Sequence, residues 1–249
     1  MSAKKRIHTL DEIRGFCVFC MVFDHALFTL GYMYYHEFSR NLFDILSLIS
    51  PFFAATFILI CGASCMLSKD NMRRGIKILT AAFAVTLVSV FLMPDAPIHF
   101  GILHLLGSCV MLYAVFRRFI DRIPTILGII LCFVLFFVFY NTEKGYLFFE
   151  PFSLNLPDSL YESGLLMILG FRNPFVAYSD YFPLLPWIFS FFCGVFIGRY
   201  LKDGKAPKCM YKSRVPFFSL LGTNAFLIYL IHQPLIYGVY YLISLTGGI

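Results

Sequence analysis

The chain has 249 residues, of which 59% are hydrophobic, 19% aromatic and only 14% charged, whereas a water-soluble domain is about one quarter charged. That balance excludes a water-solvated globule, and a sequence without regular ten-residue alternation excludes a β-barrel. The net charge of +6 is accounted for by membrane topogenesis and anionic lipid, and it requires no nucleic-acid partner.

The fold class that remains is an all-α, polytopic bundle whose helices satisfy their own backbone hydrogen bonds in lipid. Seven apolar stretches, 12–34, 43–67, 76–93, 101–116, 123–140, 184–200 and 217–244, are each near the ~20 residues that cross a bilayer. They predict one transmembrane domain over 1–249, lying in the lipid bilayer. The first stretch is too long for a cleavable signal and lacks a small-residue cleavage site. Seventeen of the twenty Lys and Arg residues fall on one side of this layout, Lys4, Lys5 and Lys205 among them, against Arg40, Lys144 and Arg172 on the other. The positive-inside rule therefore predicts a cytoplasmic amino terminus and an external carboxyl terminus.

The first span opens with "LDEIRGF". Arg14 at the cytoplasmic edge either snorkels to lipid phosphate or, beside the permissive Gly15, contributes to an anion site with Arg73, Arg74, Arg117 and Arg118. "CVFC" (Cys17, Cys20) has a redox spacing, but within a membrane helix it reads as two small residues suited to packing. Most of the eight cysteines lie inside spans, which argues against a disulfide framework.

Asp24, His25 and His36 follow in "MVFDHALFTLGYMYYHE". Ionisable groups cost about 2.5–3.5 kcal/mol to insert at mid-membrane, so they mark function by default. An unbroken helix would put His25 and His36 on one stripe about 16 Å apart. A break at Gly31 would instead fold His36 back toward His25. Asp24 points about 100° away and is expected to serve packing or a neighbour's hydrogen bond.

Further along, Asp44, His104 and Asp180 open the second, fourth and sixth spans, and with His36 they would converge at the outer face. Residues 141–183 are acidic and proline-rich, forming an extracytoplasmic loop in which "LYESGLLMILGF" is too short to span and reads as an interfacial or re-entrant helix. His232 lies at mid-membrane in "YLIHQPLIYG", where Pro234 frees the Leu230 carbonyl. It either caps freed backbone or takes part in function, and two facing histidines would also suit a haem. "GVFIG" (Gly194 to Gly198) suits a packed helix pair or a homodimer.

Taken in order, "LDEIRGFCVFCMVFDH", "YYHE", "SPFFAATFILICGAS" and "LGTNAFLIYLIHQP" resemble the membrane acetyltransferase family that includes heparan-α-glucosaminide N-acetyltransferase and its bacterial relatives. The resemblance covers about 8–68 and 221–235, and "GILHLLG" and "DYFPLLPW" fit the bacterial branch between them. It implies that cytosolic acetyl-CoA supplies an acetyl group to an amine or hydroxyl of a sugar or glycan across the membrane, with no metal. Residue matching makes His36 the catalytic histidine. The position of a catalytic asparagine in the lysosomal enzyme is His25 here, an imidazole that can titrate where an amide only hydrogen-bonds. On this reading Arg14, Arg73, Arg74, Arg117 and Arg118 hold the CoA nucleotide. His36 is the base, His25 or His104 stabilises the oxyanion, Asp44 or Asp180 orients His36, and His232 supports the site. A bacterial plasma membrane is the expected location. A small-solute transporter is the principal alternative, since polar groups at one depth also line substrate pathways.

Overall fold

The structure is a computed structural model that describes residues 6–92, 94, 97–176, 179–202 and 206–246. Lys4, Lys5 and Lys205 of the basic set, and Met93 at the end of the third predicted span, lie outside the described residues.

Ten α-helices are described: α1 (His8–Phe28), α2 (Glu37–Leu46), α3 (Ser50–Cys65), α4 (Asn71–Leu92), α5 (Ile102–Ile120), α6 (Thr125–Val138), α7 (Ser159–Glu162), α8 (Leu184–Lys202), α9 (Pro216–Thr223) and α10 (Ala225–Leu245). Six helical stretches are long and apolar enough to cross a membrane, and the bent pair α2–α3 makes a seventh if it is one span. Phe83, Leu87, Phe133 and Leu242 are 62–63% exposed on these helices. Large apolar side chains are stable in that position only where the solvent is lipid. The chain is a polytopic helical integral membrane protein.

Two predicted stretches are subdivided. The second is α2 followed by α3 at 56°, because Pro51 has no N–H to continue the ladder to Ser47. The last is α9 followed by α10, separated at Asn224, whose side chain donates to the Leu220 carbonyl at 2.9 Å and so competes with the helix ladder. Pro234 is accommodated inside α10. Within 141–183, Tyr146–Leu147 (β1) pairs antiparallel with Leu154–Asn155 (β2). The segment expected to be a short helix is the single turn α7 and a 3₁₀ turn at Leu166–Leu169, separated by the extended Ser163 and by Gly164.

The chain divides into two compact units, Met1–Phe57 with Ala206–Ile249, and Ile58–Lys205, the boundary falling inside α3. In the first unit α1 lies against α9 with backbones touching. A methyl group on Gly15 would overlap the Phe218 carbonyl, and one on Gly222 would overlap the Asp11 carbonyl. Phe16 meets Phe218 and Phe53 edge-on at centroid distances of 5.3 and 5.8 Å, a geometry that suits the ring quadrupoles.

In the second unit Gly75 faces Met111 and Gly107 faces Leu79, so α4 and α5 run antiparallel. Gly62 abuts the Phe191 carbonyl, Gly194 the Leu59 carbonyl and Gly198 the Ala63 carbonyl. The glycines of "GVFIG" therefore serve a helix pair within the chain, between α3 and α8. Small residues are what permit such approaches where lipid supplies no hydrophobic drive.

Candidate active site

The "LDEIRG" motif is first of all a fastening. Asp11 receives Arg6 Nε at 2.7 Å and Arg14 Nη1 at 3.0 Å, and Arg14 Nη1 also reaches the Gly222 carbonyl at 3.4 Å. One oxygen of Glu12 accepts the Ser213 hydroxyl and the backbone N–H groups of Arg214 and Val215. Both carboxylates are buried, and charge-assisted bonds of this kind hold helix ends firmly. Arg14 is thus engaged at the α1–α9 contact.

Farther along α1, Asp24 accepts the Ser50 hydroxyl at 2.9 Å, the second of the two roles open to it. His25 Nδ1 lies 2.9 Å from His232 Nε2, and His232 Nδ1 lies 2.6 Å from the Tyr229 carbonyl of its own helix. The two mid-span histidines of α1 and α10 are therefore joined by a direct hydrogen bond. His232 is buried and His25 is partly exposed.

The helix then changes character. Thr29 Oγ1 donates to the His25 carbonyl at 2.9 Å, and Thr29–Met33 widens into a π-helical turn, a distortion often found at functional sites. The span stops at Tyr34. Tyr35 has φ 58°, and His36 N–H donates back to the Leu30 carbonyl at 3.1 Å. Gly31, inside the π turn, lets α2 pack close, because a methyl there would press on the Arg40 backbone. The helix does not break at Gly31: the span runs through it to Met33 and turns only at Tyr34–Tyr35, so the chain follows neither an unbroken helix from His25 to His36 nor a break at the glycine.

His36 is the N-cap of α2. Its Nδ1 accepts the Ser39 backbone N–H at 3.3 Å and lies 2.8 Å from Ser39 Oγ. The ring is exposed while Ser39 is buried. Ser39 orients His36, and its only trace in the sequence is the H-x-x-S spacing of His36 and Ser39. Asp44 instead accepts the Tyr32 hydroxyl at 2.6 Å.

In the second unit His104 is fully engaged. Its Nδ1 accepts the Gly101 N–H at 3.2 Å, capping α5, and its Nε2 lies 3.2 Å from Thr86 Oγ1, whose hydroxyl donates to the Ile98 carbonyl at 2.6 Å. It is 2% exposed, so neither nitrogen is available to a substrate. Asp180 accepts the Ile102 N–H at 3.4 Å beside it.

The basic residues gather at the opposite end of α5. Arg73 pairs with Asp70 at 3.2 Å and Arg117 with Asp121 at 3.2 Å, both near the surface. Arg74 directs Nη2 to Cys61 Sγ at 3.2 Å and Nη1 to Cys65 Sγ at 3.6 Å. Arg118 is exposed. The antiparallel α4 and α5 bring the Arg73–Arg74 and Arg117–Arg118 pairs to one level, about 20 Å along α5 from His104. All eight cysteines are free thiols. Among the described residues no group of three or more His, Cys, Asp or Glu side chains could hold a metal ion.

The unit with the paired histidines and the unit with the arginine-rich end fall within one stretch that matches a known family. No curated protein matches the chain, and no solved structure matches it. The model of the heparan-α-glucosaminide N-acetyltransferase catalytic family matches residues 6–234 of the 249, nearly the whole described chain, and the protein belongs to that family of membrane acetyltransferases.

Proposed function

We propose that the protein transfers the acetyl group of cytosolic acetyl-CoA to an amine or hydroxyl of a sugar or glycan on the far side of a bacterial plasma membrane. The observation that carries this reading is the hydrogen-bonded pair His25–His232 within the membrane span, with His36 folded back beyond it. Imidazoles held at fixed positions in a lipid-embedded helix pair are suited to accept and return a proton during acyl transfer. His25 and His36 line the transfer path, and His232 supports it.

The nucleotide end of acetyl-CoA is assigned to Arg73, Arg74, Arg117 and Arg118, whose end of the second unit faces the cytosol under the positive-inside rule. Arg14 contributes from the first unit only if its bond to Asp11 loosens. Ser39, and not Asp44, orients His36, since Asp44 is bonded to the Tyr32 hydroxyl. His104 caps α5 and so supports the helix that carries Arg117 and Arg118 within the second unit. No metal enters the reaction proposed.

The test is binding of CoA and acetyl-CoA to the purified protein by thermal shift against an ATP control, followed by release of CoA thiol with a panel of amino sugars. A shift specific to CoA species and thiol release with one sugar support the reading. A folded protein with no shift for any CoA species turns the assignment to a solute pathway.

A further inference from the structure

The hydrogen bonds around the two path histidines determine which ring nitrogen of each carries the proton. A neutral imidazole has one N–H donor and one lone-pair acceptor. The Tyr229 carbonyl can only accept, so His232 Nδ1, 2.6 Å away, carries a hydrogen. His232 Nε2 then holds the lone pair, and His25 Nδ1, at 2.9 Å, must be its donor. That leaves the lone pair of His25 on Nε2, which has no hydrogen-bond partner among the described residues, on a partly exposed ring.

His36 is in the opposite state. The Ser39 backbone N–H can only donate, so Nδ1 of His36 is an acceptor, and the Ser39 hydroxyl at 2.8 Å donates to the same atom. The hydrogen of neutral His36 is therefore on Nε2, at the exposed edge of the ring. The backbone fold-back fastens His36 to the last turn of the same span: His36 N–H bonds to the Leu30 carbonyl, and Leu30 is five residues, about 7.5 Å of helical rise, beyond His25.

We propose that His25 Nε2 is the general base of the transfer, that His36 Nε2–H is the oxyanion donor, and that His232 is a positioning residue which sets the tautomer of His25. This assignment rests on the acetyltransferase reading and reverses the roles that residue matching gives the two rings. In the step, the acceptor's heteroatom bonds to the thioester carbonyl carbon while its proton passes to His25 Nε2. The carbonyl oxygen, now an oxyanion, is held by His36 Nε2–H. The carbon–sulfur bond then breaks, and the proton on His25 Nε2 passes to the departing thiolate. The products are acetylated acceptor, free CoA thiol and neutral His25.

The deciding experiment is ¹⁵N NMR of ring-labelled histidines in the full chain reconstituted in nanodiscs, with no acetyl donor present. Samples of His25→Asn and His36→Asn identify the two rings. Expected are a protonated Nδ1 for His25 and a protonated Nε2 for His36. In His232→Gln the His25 ring becomes a mixture of tautomers while His36 is unchanged. A protonated Nε2 on His25, or a protonated Nδ1 on His36, overturns the proposal, and the wild-type spectrum alone decides this should the variant not fold.

In thiol release from acetyl-CoA with amino sugars, His36→Gln keeps an N–H donor and retains at least tenfold more activity than His25→Gln. The reverse order, or equal losses, returns the base to His36. Absence of turnover in the wild type counts against the transferase reading itself, while the ring spectra still settle the tautomers.

Discussion

Glu12 Oε1 accepts the Val215 backbone N–H at 3.0 Å, joining the first turns of α1 to the start of α9 across 203 residues of sequence. The same oxygen takes the Arg214 N–H at 2.6 Å and the Ser213 hydroxyl at 3.0 Å. Val215 has no side-chain acceptor to cap α9 for itself, so the cap comes from α1. Glu12→Ala should cost about 2 kcal/mol, seen as a fall of roughly 4–8 °C in the melting midpoint. An unchanged midpoint in detergent would show that these bonds carry no net stability.

The glycine contacts predict a larger effect. Gly62→Ala or Gly194→Ala drives a methyl into a backbone carbonyl of the facing helix, where no flexible side chain can yield. Each change should cost upward of about 3 kcal/mol and abolish the monodisperse peak in size-exclusion chromatography. Gly238→Ala is the control. Its Cβ meets nothing within 4 Å, and the profile should stay that of the wild type.

The acids beside the arginine-rich end provide a test of opposite signs. Arg73→Gln and Arg118→Gln should each weaken acetyl-CoA binding by about three- to tenfold, with the loss shrinking at high salt. Asp121→Asn removes the partner of Arg117 and should tighten binding by roughly two- to threefold. Titration calorimetry reads both directions. If the arginines only snorkel to lipid, neither set of changes moves the dissociation constant.

At the folded-back corner, His36→Ala removes the oxyanion donor and should lower transfer by about 10²–10³-fold while leaving the acetyl-CoA thermal shift in place. Ser39→Ala removes one of the two donors to His36 Nδ1 and keeps the backbone one. Its loss should therefore be only a fewfold in kcat, with KM for the acceptor unchanged.

Spans were readable because twenty apolar residues in a row have few other fates, and each predicted stretch coincides with one helix or two consecutive ones. Ends were less readable. Pro51 breaks one stretch and Asn224 another, yet Pro234 breaks nothing, since α10 tolerates a missing bond that a shorter helix would not. His25 and His232 could be placed at mid-membrane from position alone, but their direct bond depends on α1 and α10 meeting at that level. His104 read as a member of the outer polar group and is a helix cap with both nitrogens engaged. Glycine spacing pointed to close packing in "GVFIG", and only the folded chain shows that its partner is α3. Ser39 and Glu12 escaped attention because a serine and an acid near a helix start are common, and what they hold lies off the local pattern.

The π turn at Thr29–Met33 changes what the interval from His25 to His36 means. Eleven residues of straight helix are a ruler, and counting along them yields a separation. Here the same count is taken around a corner, so an insertion or deletion of one residue between Thr29 and Tyr35 would re-aim His36 without altering any residue type. Conversely, a related chain could change the interval and keep the two rings where they are, provided that the turn absorbed the difference. Alignment of these positions should therefore be anchored on the glycine at 31 and the serine at 39, and not on the number of residues between the histidines.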